Sequence, residues 1–214
     1  MTSLPQHLSS PQLLAALAAF AFVSSITPGP NNAMLMASGA NFGFARTLPH
    51  LAGVTIGFAI LLLSVGLGLG GLFTAVPALH AVLKAVGAAY LLWLAWKIAT
   101  AKGVSGKDGG GRPISFLQAV GFQWVNPKAW VMSVGAVAAY VPQGEGLLPN
   151  VALVVLVFSL VNLPCIVAWA GGGVALRRVL AQPAALRAFN WIMAALLVGS
   201  LIPIVFDLAG GWRA

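Results

Sequence analysis

Residues 51–73, 147–170 and 188–206 contain no Asp, Glu, Lys or Arg. A helix needs about 20 apolar residues to cross the hydrocarbon core of a bilayer, and each of these runs suits that length. A soluble fold would have to bury all three. The composition agrees with a membrane solvent: 60% of the residues are hydrophobic and 7% charged, against roughly 25% charged in soluble domains, and the mean hydropathy is +0.96. The chain is therefore expected to be an all-α polytopic membrane bundle, a single integral membrane domain over residues 1–214.

Three further spans complete the expectation. Residues 78–100 carry Lys84 and end in Tyr90, Trp93, Trp96 and Lys97, a combination suited to the headgroup boundary. Residues 11–36 and 115–140 are apolar but contain helix breakers. The first basic side chain is Arg46, so the run at 13–26 lacks the charged region of a cleaved signal and reads as part of a first membrane helix. The sum is six transmembrane helices.

A glycine-rich, polar stretch at 101–113 separates a first three-helix repeat, residues 1–100, from a second, residues 114–214. Arg46, Lys97, Lys102, Lys107, Arg112, Arg177, Arg178 and Arg187 fall on one side of the six-span layout, with Arg213 opposite. By the positive-inside rule that side, linker included, is cytoplasmic and both termini face the outer, periplasmic side. The net charge of +8 is then a topology signal, with membrane lipid as its neighbour and no nucleic acid implied. Three spans per half give the halves opposite directions, a 3+3 inverted repeat in which the first helix of each half is interrupted.

The interruptions carry the chemistry. The first, Thr27-Pro28-Gly29-Pro30-Asn31-Asn32, removes two backbone donors across a residue that itself disfavours helix. In lipid the freed polar groups cost several kcal/mol each, so such backbone survives only where protein covers it or water reaches it. The second, Gln123 through Asn126-Pro127-Lys128, again combines amides and a breaker and adds a cation. A cation near mid-membrane costs about 2.5 to 3.5 kcal/mol on insertion scales, so Lys128 should face the bundle interior or water. Restarting half-helices attract anions with their free N–H groups, and the open carbonyls before them attract cations. An amino acid zwitterion offers one of each. The expected substrate site is therefore Thr27, Pro28, Gly29, Pro30, Asn31, Asn32, Gln123, Asn126, Pro127 and Lys128, at the midplane. The half-helix starts and Lys128 would hold the carboxylate, and carbonyls near Thr27 and Asn126 the ammonium.

Thr-Pro-Gly-Pro-Asn at 27–31, Gly-Ala-Ala-Tyr-Leu-Leu-Trp-Leu-Ala-Trp-Lys at 87–97 and Gly-Phe-Gln-Trp-Val-Asn-Pro-Lys-Ala-Trp at 121–130 together resemble the lysine-exporter (LysE/RhtB) family of amino acid efflux proteins. The resemblance runs along nearly the whole chain. It implies a bacterial inner-membrane exporter, driven by the proton gradient, and Trp-Leu-Ala-Trp-Lys-Ile-Ala-Thr looks most like the branch exporting cysteine and O-acetylserine. Pro28, Gly29, Pro30, Asn31, Asn126, Pro127 and Lys128 match the two site motifs position by position.

The acids limit the substrate. Only Asp108, Glu145 and Asp207 are present, none placed to pair with a basic side chain in the site, so a small neutral amino acid or derivative fits better. Asp207 is the candidate proton carrier, with His50 and His80 the other groups that titrate. No cofactor and no metal are expected: the single cysteine, Cys165, supplies neither a redox pair nor a thiolate cage. The alternatives are a membrane-embedded metal-ion transporter or oxidoreductase, and a non-transporting structural or regulatory membrane protein. Gly39-xxx-Gly43, Gly53-xxx-Gly57 and Gly66-xxx-Gly70 are expected to let helices approach closely within the chain, with a homodimer seam as the other use.

Overall fold

The computed structural model describes residues 10–69, 77–101, 112–142 and 146–202. Its elements are all helical: α1 (Pro11–Ile26), α2 (Pro30–Phe42), α3 (Phe44–Ser64), α4 (Pro77–Ala99), α5 (Phe116–Gln123), α6 (Pro127–Tyr140), α7 (Leu147–Ala175) and α8 (Pro183–Gly199). A π-helical turn, Val65–Leu69, extends α3, and a 3-10 stretch, Leu176–Ala181, extends α7.

The helix boundaries follow local chemistry. Pro11, Pro30, Pro127 and Pro183 each open a helix, where the missing N–H would have had no partner anyway. Ser115 caps α5 in a reciprocal box with Gln118, satisfying two otherwise orphaned amides. Gly43 separates α2 from α3 at φ 82, a left-handed value that favours glycine. Its Gly39 partner behaves as a packing residue instead, so the Gly39-xxx-Gly43 pair splits into one contact and one turn.

The long helix α7 lies at the centre, against α1, α2 and α3. Its crossing with α2 is backbone on backbone: a Cβ on Gly39 would collide with the Ala170 carbonyl, and one on Gly173 with the Met36 carbonyl. Gly53 and Gly57 let α3 approach α5 in the same way, and Gly66 meets Val151; these are the intramolecular contacts expected of small residues in membranes. Gly70 lies outside the described residues. The apolar interior has two main parts. Leu17, Phe58, Leu61 and Phe158 fill one, around α1, α3 and α7, and Met34, Leu91, Phe122 and Leu197 fill the other, where α4 and α8 meet α2.

The helices depart from the expected spans at their ends. The second begins at Phe44 rather than 51, taking in Arg46 and His50, and α7 with its 3-10 extension runs to Ala181, past Arg177 and Arg178. Charge ends an apolar run in a sequence without ending a helix, because long basic side chains reach the headgroups from a helix end. By length and apolar composition Phe44–Leu69 and Leu147–Ala181 are long enough to cross a membrane, and α1 with α2 makes a third candidate if the bent pair is one span. Shorter apolar helices cover Ala85–Ala99 and Pro183–Gly199. The linker acid Asp108, as well as Glu145 and Asp207, lies outside the described residues.

Candidate functional site

The first break bends α1 against α2 by 56°. Thr27 and Gly29 are extended, at ψ 144 and 177, so several carbonyls leave the helical ladder. Buried backbone oxygens need partners, and each one from Ser24 to Gly29 has one. Thr27 Oγ1 donates to the Ser24 carbonyl at 3.0 Å. Asn32 Nδ2 donates to the Ser25 and Thr27 carbonyls, both at 2.8 Å. Trp169 Nε1, from α7, donates to the Ile26 carbonyl at 3.1 Å. The Gly29 carbonyl accepts from the Ala33 amide at 2.9 Å.

The remaining partner comes from the second break. Lys128 Nζ donates to the Thr27 carbonyl at 2.6 Å, to Thr27 Oγ1 at 2.9 Å and to the Pro28 carbonyl at 3.3 Å. Because the Thr27 hydroxyl hydrogen is already committed to Ser24, all three contacts are donated by the lysine. Three donors on one nitrogen describe an ammonium. Alongside, the Asn31 and Gln123 amides exchange hydrogen bonds, Asn31 Nδ2 to Gln123 Oε1 at 2.8 Å and Gln123 Nε2 to Asn31 Oδ1 at 3.2 Å. The two interruptions thus touch at two points.

The second break seals itself. The amides of Trp124, Val125 and Asn126 close onto the carbonyls of Gly121, Phe122 and Gln123 in 3-10 fashion, and Asn126 Oδ1 accepts from the Lys128 amide at 3.1 Å, capping α6. Two carbonyls near Asn126, expected for a substrate ammonium, are engaged: Trp130 Nε1 donates to Trp124 O at 2.8 Å, and the Trp130 amide to Asn126 O at 3.2 Å. Those near Thr27 hold Lys128. At the start of α2, by contrast, no side chain caps the helix, so the first-turn amides of Asn31 and Asn32 remain available to an anion.

Thr27, Pro28, Gly29, Asn31, Asn32, Gln123, Asn126 and Lys128 are therefore in one place, and Pro30 and Pro127 set the first turns beside them. Asp207 lies outside the described residues. Between the breaks is a cavity of about 20 Å³ walled by Ser25, Asn31, Asn32, Asn126, Lys128 and Asn162, with Phe58 and Ile166 as apolar cover. That volume holds about one water. Ser25 and Trp169 escaped the sequence reading, and Asn162 stood outside the expected site. Asn162 is a buried amide two residues before Pro164 in an otherwise apolar helix, which is a usable signal. Ser25, whose buried hydroxyl has no hydrogen-bond partner, and Trp169 have none in their own sequence surroundings.

Comparison with known proteins identifies a family. The LysE type translocator family matches residues 22–201, a stretch that contains both breaks. The chain is 35% identical over 200 residues to the cysteine/O-acetylserine efflux protein of Escherichia coli, 33% identical over 199 residues to that of Salmonella typhimurium, and 31% identical over 201 residues to that of Klebsiella pneumoniae. Each alignment covers 92% of this chain and 100% of the relative. No solved structure matches it.

Proposed function

The chain belongs to the LysE type translocator family, and from that premise we propose that it exports small neutral amino acids or their derivatives, with cysteine and O-acetylserine first among them. Membership makes it a multi-pass transporter of the inner membrane rather than an enzyme. In the proposed arrangement six spans form a 3+3 inverted repeat with both termini on the periplasmic side. The substrate lies near the midplane between the two broken helices, its carboxylate at the uncapped start of α2 and beside Lys128. The observation that carries this reading is the contact of Lys128 with the Thr27 and Pro28 carbonyls across the two breaks.

The site chemistry supports a neutral substrate. A zwitterion adds no net charge beside Lys128, whereas a basic amino acid adds a cation, and the described residues contain no carboxylate to receive it. Export is proposed to run as proton antiport, with Asp207 as the proton carrier.

Reconstituted protein in liposomes tests the proposal. Labelled O-acetylserine and cysteine should show counterflow, and an imposed pH gradient should accelerate net flux. No flux of any amino acid or derivative would sink the export reading; flux indifferent to the gradient would remove the antiport alone.

A further inference from the structure

Lys128 makes its three hydrogen bonds to acceptors that are all on the other break, and its stem lies directly over Gly29: a Cβ there would sit 2.6 Å from Lys128 Cδ and 3.1 Å from Nζ. Gly29 has φ −175, extended backbone open to any residue, so no strain calls for glycine at this position. What it provides is a path for the lysine. The acceptor set at the end of that path, two carbonyls and a hydroxyl oxygen, has the donor count of a primary ammonium and nothing specific to lysine. An amino acid carries the same –NH3+ group.

We infer that the Lys128 ammonium is a tethered stand-in for the substrate's own amino group: it fills the acceptor tripod of Thr27 O, Thr27 Oγ1 and Pro28 O until an amino acid displaces it. The inference rests on the export reading and assigns the amino-group subsite, a primary-ammonium site, within it.

Physical consequences follow from the exchange. The cavity, about 20 Å³, is too small for an amino acid while the lysine is docked, so withdrawal of the side chain both vacates the tripod and enlarges the space. The released ammonium needs a new partner, because an unpaired charge in this environment is costly, and the incoming carboxylate is that partner. Each ammonium then keeps acceptors before and after the step. A ligand with a carboxylate alone leaves the tripod empty, and one with an amine alone leaves Lys128 without a partner. Occupancy therefore requires both groups on one molecule.

Vacating the tripod by mutation makes the subsite directly measurable. Lys128→Ala removes the atoms beyond Cβ, whose shape n-propylammonium reproduces. Labelled n-propylammonium should bind the detergent-solubilised variant saturably and the unaltered protein at least tenfold more weakly. Tetramethylammonium, which has no N–H donor, should not compete, and O-acetylserine should. Absence of binding to the variant, equal binding to both proteins, or binding that O-acetylserine leaves in place would overturn the inference, whatever the outcome of the flux measurements. Gly29→Ala is the second variant, in case Lys128→Ala does not fold: its methyl group pushes the lysine stem off the tripod while keeping the charge. It should bind O-acetylserine several-fold more tightly than the unaltered protein, and unchanged or weaker binding would count against the exchange. Binding of propylammonium by Lys128→Ala with no export of any amino acid by the unaltered protein would leave the ammonium subsite standing and remove the substrate assigned to it.

Discussion

The two helix breaks look alike in sequence and are solved differently in space. From Ser25 to Pro28 the backbone stays open, and its carbonyls are satisfied by side chains from α2, α6 and α7. At Trp124-Val125-Asn126 the backbone closes on itself through 3-10 bonds and an asparagine cap. The difference lies in the prolines. Pro28 removes a donor inside the first break, ahead of the start of α2 at Pro30, whereas the second break contains one proline, at a helix start where it costs nothing. One break is thus an acceptor surface, and the other is a stable mount that delivers a cation and an amide to it. Across these two breaks, likeness of motif goes with complementarity of role.

That division can be broken from either side. The largest effect is expected at Lys128, which joins the tripod to α6. Hydrogen bonds to charged groups contribute about 1.5–3 kcal/mol, so Lys128→Ala should lower the export rate by roughly ten- to a hundredfold, measured as initial flux from proteoliposomes. Next comes Asn32, whose single amide spans two carbonyls of the open break. Asn32→Ala leaves the Ser25 carbonyl unpaired at about 1–3 kcal/mol and the Thr27 carbonyl to Lys128 alone, and should lower the unfolding midpoint in detergent more than any change at Asn126.

Asn126→Ala loses a cap worth about 1 kcal/mol, and Asn126→Ser, which retains a capping oxygen, should recover most of it in the same unfolding measurement. A loss for Asn126→Ala that exceeds the loss for Asn32→Ala would reverse the assignment of open and sealed breaks. The smallest effect tests the second point of contact. Asn31→Ala and Gln123→Ala should be non-additive in stability, with a coupling of at least about 0.5 kcal/mol, whereas strict additivity would show that the reciprocal amide pair does not tie the halves together.

Much of this was legible in the sequence, for specific reasons. The helical class follows from uncharged runs that only helices can carry through lipid, and the breaks follow from proline and glycine chemistry that acts locally. The residues that meet at the site were named because both breaks contain amides and one contains a cation. Their pairing was harder to read. Nothing local distinguishes Lys128 as donor to Thr27 from Lys128 as partner of a substrate carboxylate, since the choice depends on how far Gly29 lets the stem pass. The helices run beyond the uncharged spans, to Phe44 and Ala181, because charge ends an apolar run without ending a helix, and Arg46, Arg177 and Arg178 are accommodated on helical turns. Ser25 and Trp169 act through geometry set by the α1–α7 packing, which no spacing in the sequence encodes.

The most direct test of the joined breaks is a double-mutant cycle between Thr27 and Lys128, read as unfolding free energy in detergent without substrate. Thr27→Ala removes the hydroxyl acceptor on one break and Lys128→Ala the donor on the other. If the two are joined, each single change lowers stability and the double variant loses less than the sum of the two, by a coupling of at least about 0.5 kcal/mol. Losses that simply add in the double variant would mean that the breaks are independent, and would contradict a single site shared between them.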